Sequence, residues 1–257
     1  MESALNKRAI VSIGSTHPWN IAGLGLDLLV AHERGLRSLS VVTGVTAQDE
    51  GGVHACFAVP ALTVRAQMES LPLEIVRALR IGAIPNQENV FETARFIREH
   101  GDIQTVVDPV MEATLGGSLM PQNAVLAYKQ QILSLPVILT PNIPEAARLL
   151  NRPIRDRDSM LAAAESLHEM GPRAVLLKGG HLEGDPCDVL VTETETRVFA
   201  APRLSRQMRG TGCILAAALA CELAMGTQLI PAVASARNYV RKKIEESIPF
   251  GSLHVAF

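Results

Sequence analysis

A chain of 257 residues with 47% apolar content is long enough for a sizeable buried core, at the usual ~150 residues per domain. Its 24 basic and 26 acidic residues leave a net charge of −2, which gives no basic footprint for nucleic acid. Aromatics at 4%, with 19 glycines and 15 prolines, exclude a base-stacking platform, a collagen-like repeat and a low-complexity chain.

Met1 to Arg8 is polar, without an apolar signal core. Short β-branched runs then alternate with amphipathic stretches. Ala9–Ile13 reads as a buried strand, and Gly23–Arg34 as a helix ending at Gly35, a C′ glycine. Leu39–Thr43 and Leu79–Ile84 are the next strands, with Gly44–Asp49 read as a loop between structured segments. Gln87–His100 is helical, with Asn86 as its N-cap and an apolar stripe at Val90, Ala94 and Ile97. Strands Thr105–Val110, Val137–Thr140 and Ala174–Lys178 are interleaved with helices Pro144–Asn151 and Ser159–Met170, the latter preceded by Asp158. Asp188–Thr192 and Arg197–Ala200 read as an antiparallel pair, and helices Gly212–Met225 and Ala232–Ser247 follow.

This alternation predicts an α/β fold: a mainly parallel central β-sheet flanked by helices on both faces, in one domain spanning 1–257. The longest uncharged stretches, around Gly210–Cys221 and Leu223–Ala236, fall short of the ~20 apolar residues of a membrane span. Cys56, Cys187, Cys213 and Cys221 form no C-x-x-C pair, and the seven histidines lack metal-site spacing. A cytoplasmic location is therefore expected, with neither nucleic acid nor membrane as partner.

In such sheets, ligands bind beyond the carboxyl ends of the strands. No Walker motif, complete G-x-G-x-x-G fingerprint or G-x-S-x-G elbow occurs. Arg209-Gly210-Thr211-Gly212-Cys213 opens the last-but-one helix. It is either a glycine turn capping a buried helix, or an anion hole in which backbone N–H groups and the helix dipole meet a phosphoryl group. In the second reading the dipole favours the Cys213 thiolate. Asp108-Pro109-Val110-Met111 puts a carboxylate at a strand end, as a turn residue or a working acid. Thr140-Pro141-Asn142-Ile143-Pro144-Glu145 spaces Asn142 and Glu145 as a capping box, or as an outer grip on Mg²⁺. Lys178-Gly179-Gly180-His181 sets a cation at a strand end, solvated or facing a phosphate.

These motifs in this order, together with Ala47-Gln48-Asp49 and Ala201-Pro202-Arg203, resemble the hydroxymethylpyrimidine/phosphomethylpyrimidine kinases of thiamin biosynthesis, of the ribokinase-like superfamily. The resemblance implies ATP and Mg²⁺ over the carboxyl edge, a small aminopyrimidine alcohol as acceptor, and a homodimer. It implies that Cys213 with Gly210, Thr211 and Gly212 forms the anion hole and activates the acceptor hydroxyl, and that Lys178 contacts the transferred phosphate. Thr140, Asn142 and Glu145 fall with the nucleotide, Asp108 and Glu145 with the metal, and Asp27, Gln48, Val110, Ala22 and Trp19 with the acceptor.

The chain departs from the family pattern in several places. Its first loop reads Thr16-His17-Pro18-Trp19-Asn20-Ile21-Ala22-Gly23 where the family has Ser/Thr-Asp-x-Ser-Gly-Gly-Ala-Gly, so His17 replaces an aspartate and Ile21 a glycine. Arg80 replaces a lysine, Ala83 a methionine and Arg209 a histidine. Glu112-Ala113-Thr114-Leu115 stands where the family's flap carries a lysine, and the C-terminal Gly-His-Gly-Pro has become Gly251-Ser252-Leu253-His254. The altered loop opens two other readings: a kinase for another hydroxymethyl heterocycle of pyridoxal type, or a pyrimidine- or nucleotide-binding sensor. A smaller Ala83 leaves space for Trp19, which then stacks on a flat ligand, fills the pocket, or packs a loop.

Overall fold

The computed structural model describes residues 8–113, 116–182 and 184–257. Eight helices and two sheets lie among them. Strands β1 (Ala9–Thr16), β2 (Arg37–Asp49), β4 (Val76–Ile81), β5 (Gln104–Val107), β6 (Ile138–Leu139) and β7 (Ala174–Lys178) pair in parallel. β3 (Gly52–Ala58) runs antiparallel along β2, while β8 (Cys187–Thr192) and β9 (Thr196–Ala200) run antiparallel beyond β7. The order is β3-β2-β1-β4-β5-β6-β7-β8-β9. The chain therefore builds outward from β1 on one side, then restarts at β4 on the other. That reversal makes the space above β1 and β4 a switch point, where a crevice opens.

Side chains alternate across each strand, and the parallel strands are apolar on both faces. One face packs α1 (Gly23–Glu33), α7 (Thr211–Ala224) and α8 (Leu229–Glu245) against Ile10, Ala78, Val106, Ile138 and Leu176. The other packs α2 (Ala61–Glu69), α3 (Gln87–Glu99), α4 (Gln122–Gln131), α5 (Ile143–Leu150) and α6 (Arg157–Glu169) against Val11, Ile13, Leu79, Val107, Leu139, Val175 and Leu177. α7 is buried all round from Ile214 to Ala224, because its alanines admit β4 and β5 on one side and α8 on the other.

Caps fix the helix starts next to the site. Asn86 accepts from the Asn89 N–H, as its position predicts. Asn142 and Glu145 form a complete capping box on α5, at 2.8 and 2.7 Å. α6 begins two residues earlier than expected, capped by Asp156 rather than Asp158. The predicted loop Gly44–Asp49 is instead the outer half of β2, paired with β3. A small hairpin, β10 (Ile248–Phe250) with β11 (Leu253–Val255), returns the C-terminus to the crevice. There Phe250 meets Trp19 edge-on at 5.3 Å, His254 O accepts from the Arg209 N–H, and Ser252 Oγ bonds Glu50 at the tip of the β2–β3 hairpin. No helix of the described residues is long and apolar enough to cross a membrane.

Candidate active site

Strand alternation brings the site's charges to one face. Two residues after Ala78, Val106, Ile138 and Leu176 come Arg80, Asp108, Thr140 and Lys178, all turned towards the face that α7 covers. Arg80 is 1% exposed. Its Nε lies 3.4 Å from Asp27 Oδ2 on α1, and its Nη2 3.2 Å from Asp108 Oδ2. The other Asp108 oxygen accepts from Lys178 Nζ at 2.8 Å. Asp27, Arg80, Asp108 and Lys178 thus form a row of alternating charges under the start of α7.

Burial opposes the Lys178 charge, but Asp108 and Glu145 outweigh it and keep the ammonium above the usual lysine range. Burial likewise opposes the Arg80 charge, and Asp27 and Cys213 overcome it. Burial pushes Asp27 up to about 6 against the pull of Arg80. It pushes Glu145 up to about 7, Lys178 opposing and Asp108 reinforcing the shift.

The first turn of α7 closes over this row. Gly210 is its N-cap, at φ +78°. A Cβ there would lie 2.5 Å from both Ile21 O and Leu26 Cδ2, so only glycine fits. A Cβ at Gly212 would approach Lys178 Nζ to 3.2 Å and Asp108 Oδ2 to 3.8 Å, so the glycine keeps the ammonium accessible from the helix start. The N–H groups of a first turn lack intrahelical partners, and here they gather beside Lys178. Cys213 sits in that turn, where the Arg80 charge and the Gly23 N–H favour its thiolate. The expectation of a dipole-favoured thiolate is corrected: burial pushes the thiol up, and Arg80 offsets this only in part. Asn142 pairs with Lys178 across an isolated bridge, which places α5 and Glu145 beside the ammonium.

Two of the expected site residues are buried. Thr140 has no exposed surface and gives its hydroxyl to Val107 O at 3.3 Å. It ties the end of β6 to β5. Asp27 is also fully buried and pairs with Arg80; it does not line the small cavity that Gln48, Ala22 and Trp19 share. Of the two residues expected at the metal, Asp108 spends both oxygens on Arg80 and Lys178, whereas Glu145 accepts from the Asn142 N–H and feels Lys178 without a direct ion pair. Among the described residues no three His, Cys, Asp or Glu side chains converge as a self-sufficient metal cage, an arrangement that suits a cation carried mainly on phosphate and water.

Gln48, Ala22 and Trp19 do converge. They line one small cavity with His17, Asp49 and Arg209, whereas Val110 stands half-buried beyond Asp108 and outside that wall. Asn20, not Ile21, takes the positive φ of the altered loop, at +54°, and its side chain lies over Gly25. The aromatic partner of Trp19 is Phe250, so the ring packs the loop onto the C-terminal hairpin. Thr114 and Leu115 lie outside the described residues. Arg80 escaped the sequence reading as a site residue because a charge inside a strand looks like a solvated edge. Its signal was the direct register of Arg80 with Ser12 on β1, both buried.

A family model described as phosphomethylpyrimidine kinase matches residues 19–257. The hydroxymethylpyrimidine/phosphomethylpyrimidine kinase of Streptomyces coelicolor is 35% identical over 244 residues, which cover 94% of this chain and 90% of that protein. The enzyme of the same name from Rhizobium meliloti is 38% identical over 238 residues, covering 91% and 89%. The thiamine biosynthesis bifunctional protein ThiED of Geobacter sulfurreducens is 36% identical over 96% of this chain, which spans only 51% of that protein. Among solved structures, phosphomethylpyrimidine kinase from Clostridium difficile superposes with a TM-score of 0.80 at 29% identity, covering 91% of this chain and 98% of that one. An ADP complex of Bacillus subtilis pyridoxal kinase superposes with a TM-score of 0.88 at 26% identity, covering 96% of each.

Proposed function

The chain belongs to the phosphomethylpyrimidine kinase family, and we propose on that footing that it phosphorylates 4-amino-5-hydroxymethyl-2-methylpyrimidine and then the resulting monophosphate, with ATP as donor, in thiamin biosynthesis. Its ribokinase-like α/β fold sets the acceptor pocket of Gln48, Ala22 and Trp19 on one side of the α7 start, and Lys178, Asn142 and Glu145 on the other. The observation that carries the reading is the meeting of the Gly210–Gly212 turn with Lys178 over Asp108.

Phosphoryl transfer through a loose transition state asks chiefly for alignment and neutralised charge. Lys178, held charged and aimed by Asp108, neutralises the group in flight, and the N–H groups of Thr211 to Cys213 receive its oxygens. A bond forms from the acceptor oxygen to phosphorus as the bond to ADP breaks. Cys213 orients the acceptor hydroxyl, whose proton departs late, so a thiol of raised pKa is sufficient. Mg²⁺ carried on ATP supplies further charge neutralisation when bound. Glu145, with a carboxyl raised to about 7, is the residue that answers it, and Asn142 orients that carboxyl.

A homodimer and a cytoplasmic location belong to the same proposal. The outer hairpin supports the dimer by exposing Phe57 at 67% and Val45 at 47%. The altered His17–Ile21 loop and the likeness to a pyridoxal kinase support a second reading, in which the acceptor is a pyridoxal-type alcohol. ADP release with Mg·ATP decides between them. Turnover with hydroxymethylpyrimidine and its monophosphate is expected; turnover with pyridoxal alone replaces the acceptor, and none with any of the three leaves a sensor.

A further inference from the structure

We infer that His17 and Arg209 form a subsite for an anionic group carried by the acceptor, namely the ester phosphate of its monophosphate. Both are departures from the family pattern, and they meet at one cavity. His17 is 5% exposed, and its Nε2 accepts the Ala22 N–H at 3.2 Å. Burial and the Arg209 charge both lower its pKa. A neutral ring that accepts at Nε2 carries its proton on Nδ1, and that Nδ1 is buried with no hydrogen-bond partner.

Arg209 is in the same condition. Its Nε and Nη1 are buried without partners, while its backbone N–H is anchored to His254 O at 3.0 Å. Two side chains that line one cavity thus carry three buried donors with no acceptor among the described residues, a costly arrangement unless a ligand completes it. Asp49, the carboxylate in the same wall, directs its Oδ1 to Gly51 N–H and to His54.

The missing partner is accepting and negatively charged. Its place follows from the chain: Arg209 immediately precedes Gly210, and the cavity is shared with Gln48 and Trp19 on the acceptor side, whereas Lys178 serves the transferred group. A planar guanidinium fork suits a phosphate. The flap of this sequence also lacks the family's lysine, and Arg209 supplies a cation at this cavity.

The inference rests on the kinase reading above, but a binding experiment separates the two. Calorimetry without nucleotide compares hydroxymethylpyrimidine, its monophosphate and inorganic phosphate, with the wild type, Arg209→Gln and Arg209→Lys; ADP affinity reports the integrity of each variant. The wild type is expected to bind the monophosphate more tightly than the alcohol. Arg209→Gln should weaken monophosphate binding about 10- to 100-fold and erase that preference, with Arg209→Lys restoring part of it. Equal weakening of alcohol and monophosphate by Arg209→Gln, or no preference in the wild type, overturns the subsite. Turnover of the alcohol without that preference removes the subsite and keeps the kinase. Tight monophosphate binding through Arg209 without turnover removes the kinase and keeps the subsite, and binding of neither pyrimidine removes both.

Discussion

Arg80 is buried with a carboxylate on either side, so removing its charge leaves Asp27 without a counter-ion and Asp108 with Lys178 alone. Breaking a buried ion pair from one side costs about 3–5 kcal/mol. Arg80→Met should lose stability of that order in urea denaturation, whereas Arg80→Lys, which keeps a charge in the row, should lose less. Equal and small losses would show that the row contributes no electrostatics. The raised carboxyls give a second test. Glu145 moves from 4.5 to about 7 and Asp27 from 3.8 to about 6. At these two carboxyls the folded protein binds more protons than the unfolded chain between about pH 4 and 7, so their contribution to stability falls as pH rises through that window. Melting temperatures of protein without added nucleotide should decline across it, and Glu145→Gln should flatten the decline. An unchanged slope would remove Glu145 as its source.

Lys178 and Asp108 were legible in the sequence because each ends a buried strand run at the carboxyl edge, and Cys213 because it follows a glycine turn at the start of a buried helix. The burial of Asp27 and Thr140 was not legible, for one shared reason. A polar residue near that edge can face a ligand or a neighbouring strand, and only packing tells which.

α7 is the element on which the site depends. Its alanines and its Gly-Thr-Gly entry could be read from the sequence, but the reason for Gly210 lies in space, where the Ile21 carbonyl and Leu26 crowd it. Gly210→Ala meets both a left-handed φ and that contact, at a cost of about 1–3 kcal/mol. Thermal unfolding should show the loss, with turnover falling further as the first turn shifts; a neutral substitution would mean that the turn relaxes freely. The elements that escaped sequence reading share a different feature. α2 and α4 follow Pro60 and Pro121, which offer no side-chain cap, and β3 exposes Ala55, Cys56 and Phe57 as an outer edge. β2 continued past Thr43 because β3 supplies its ladder, a long-range pairing that no local pattern encodes.

Across the whole molecule, chemistry is gathered by topology. Restarting the sheet at β4 sets Arg80 beside β1, and the parallel order β4-β5-β6-β7 brings Asp108 and Lys178 to one edge. The C-terminal hairpin then ties Arg209, Trp19 and Glu50 around the acceptor side. Strand–helix alternation made the layers legible in advance. The hairpin was not, since two three-residue strands rich in exposed side chains carry no buried run to announce them. Five separate elements (α1, β4, β5, β7 and α7) surround Cys213, which is only partly buried at the edge of the apolar layer that α7 packs. Turnover of Cys213→Ala with Mg·ATP and hydroxymethylpyrimidine, read beside its melting temperature, therefore tests the site most directly. A fall of about 10²–10³-fold at an unchanged melting temperature is the predicted result, and turnover equal to the wild type would contradict it.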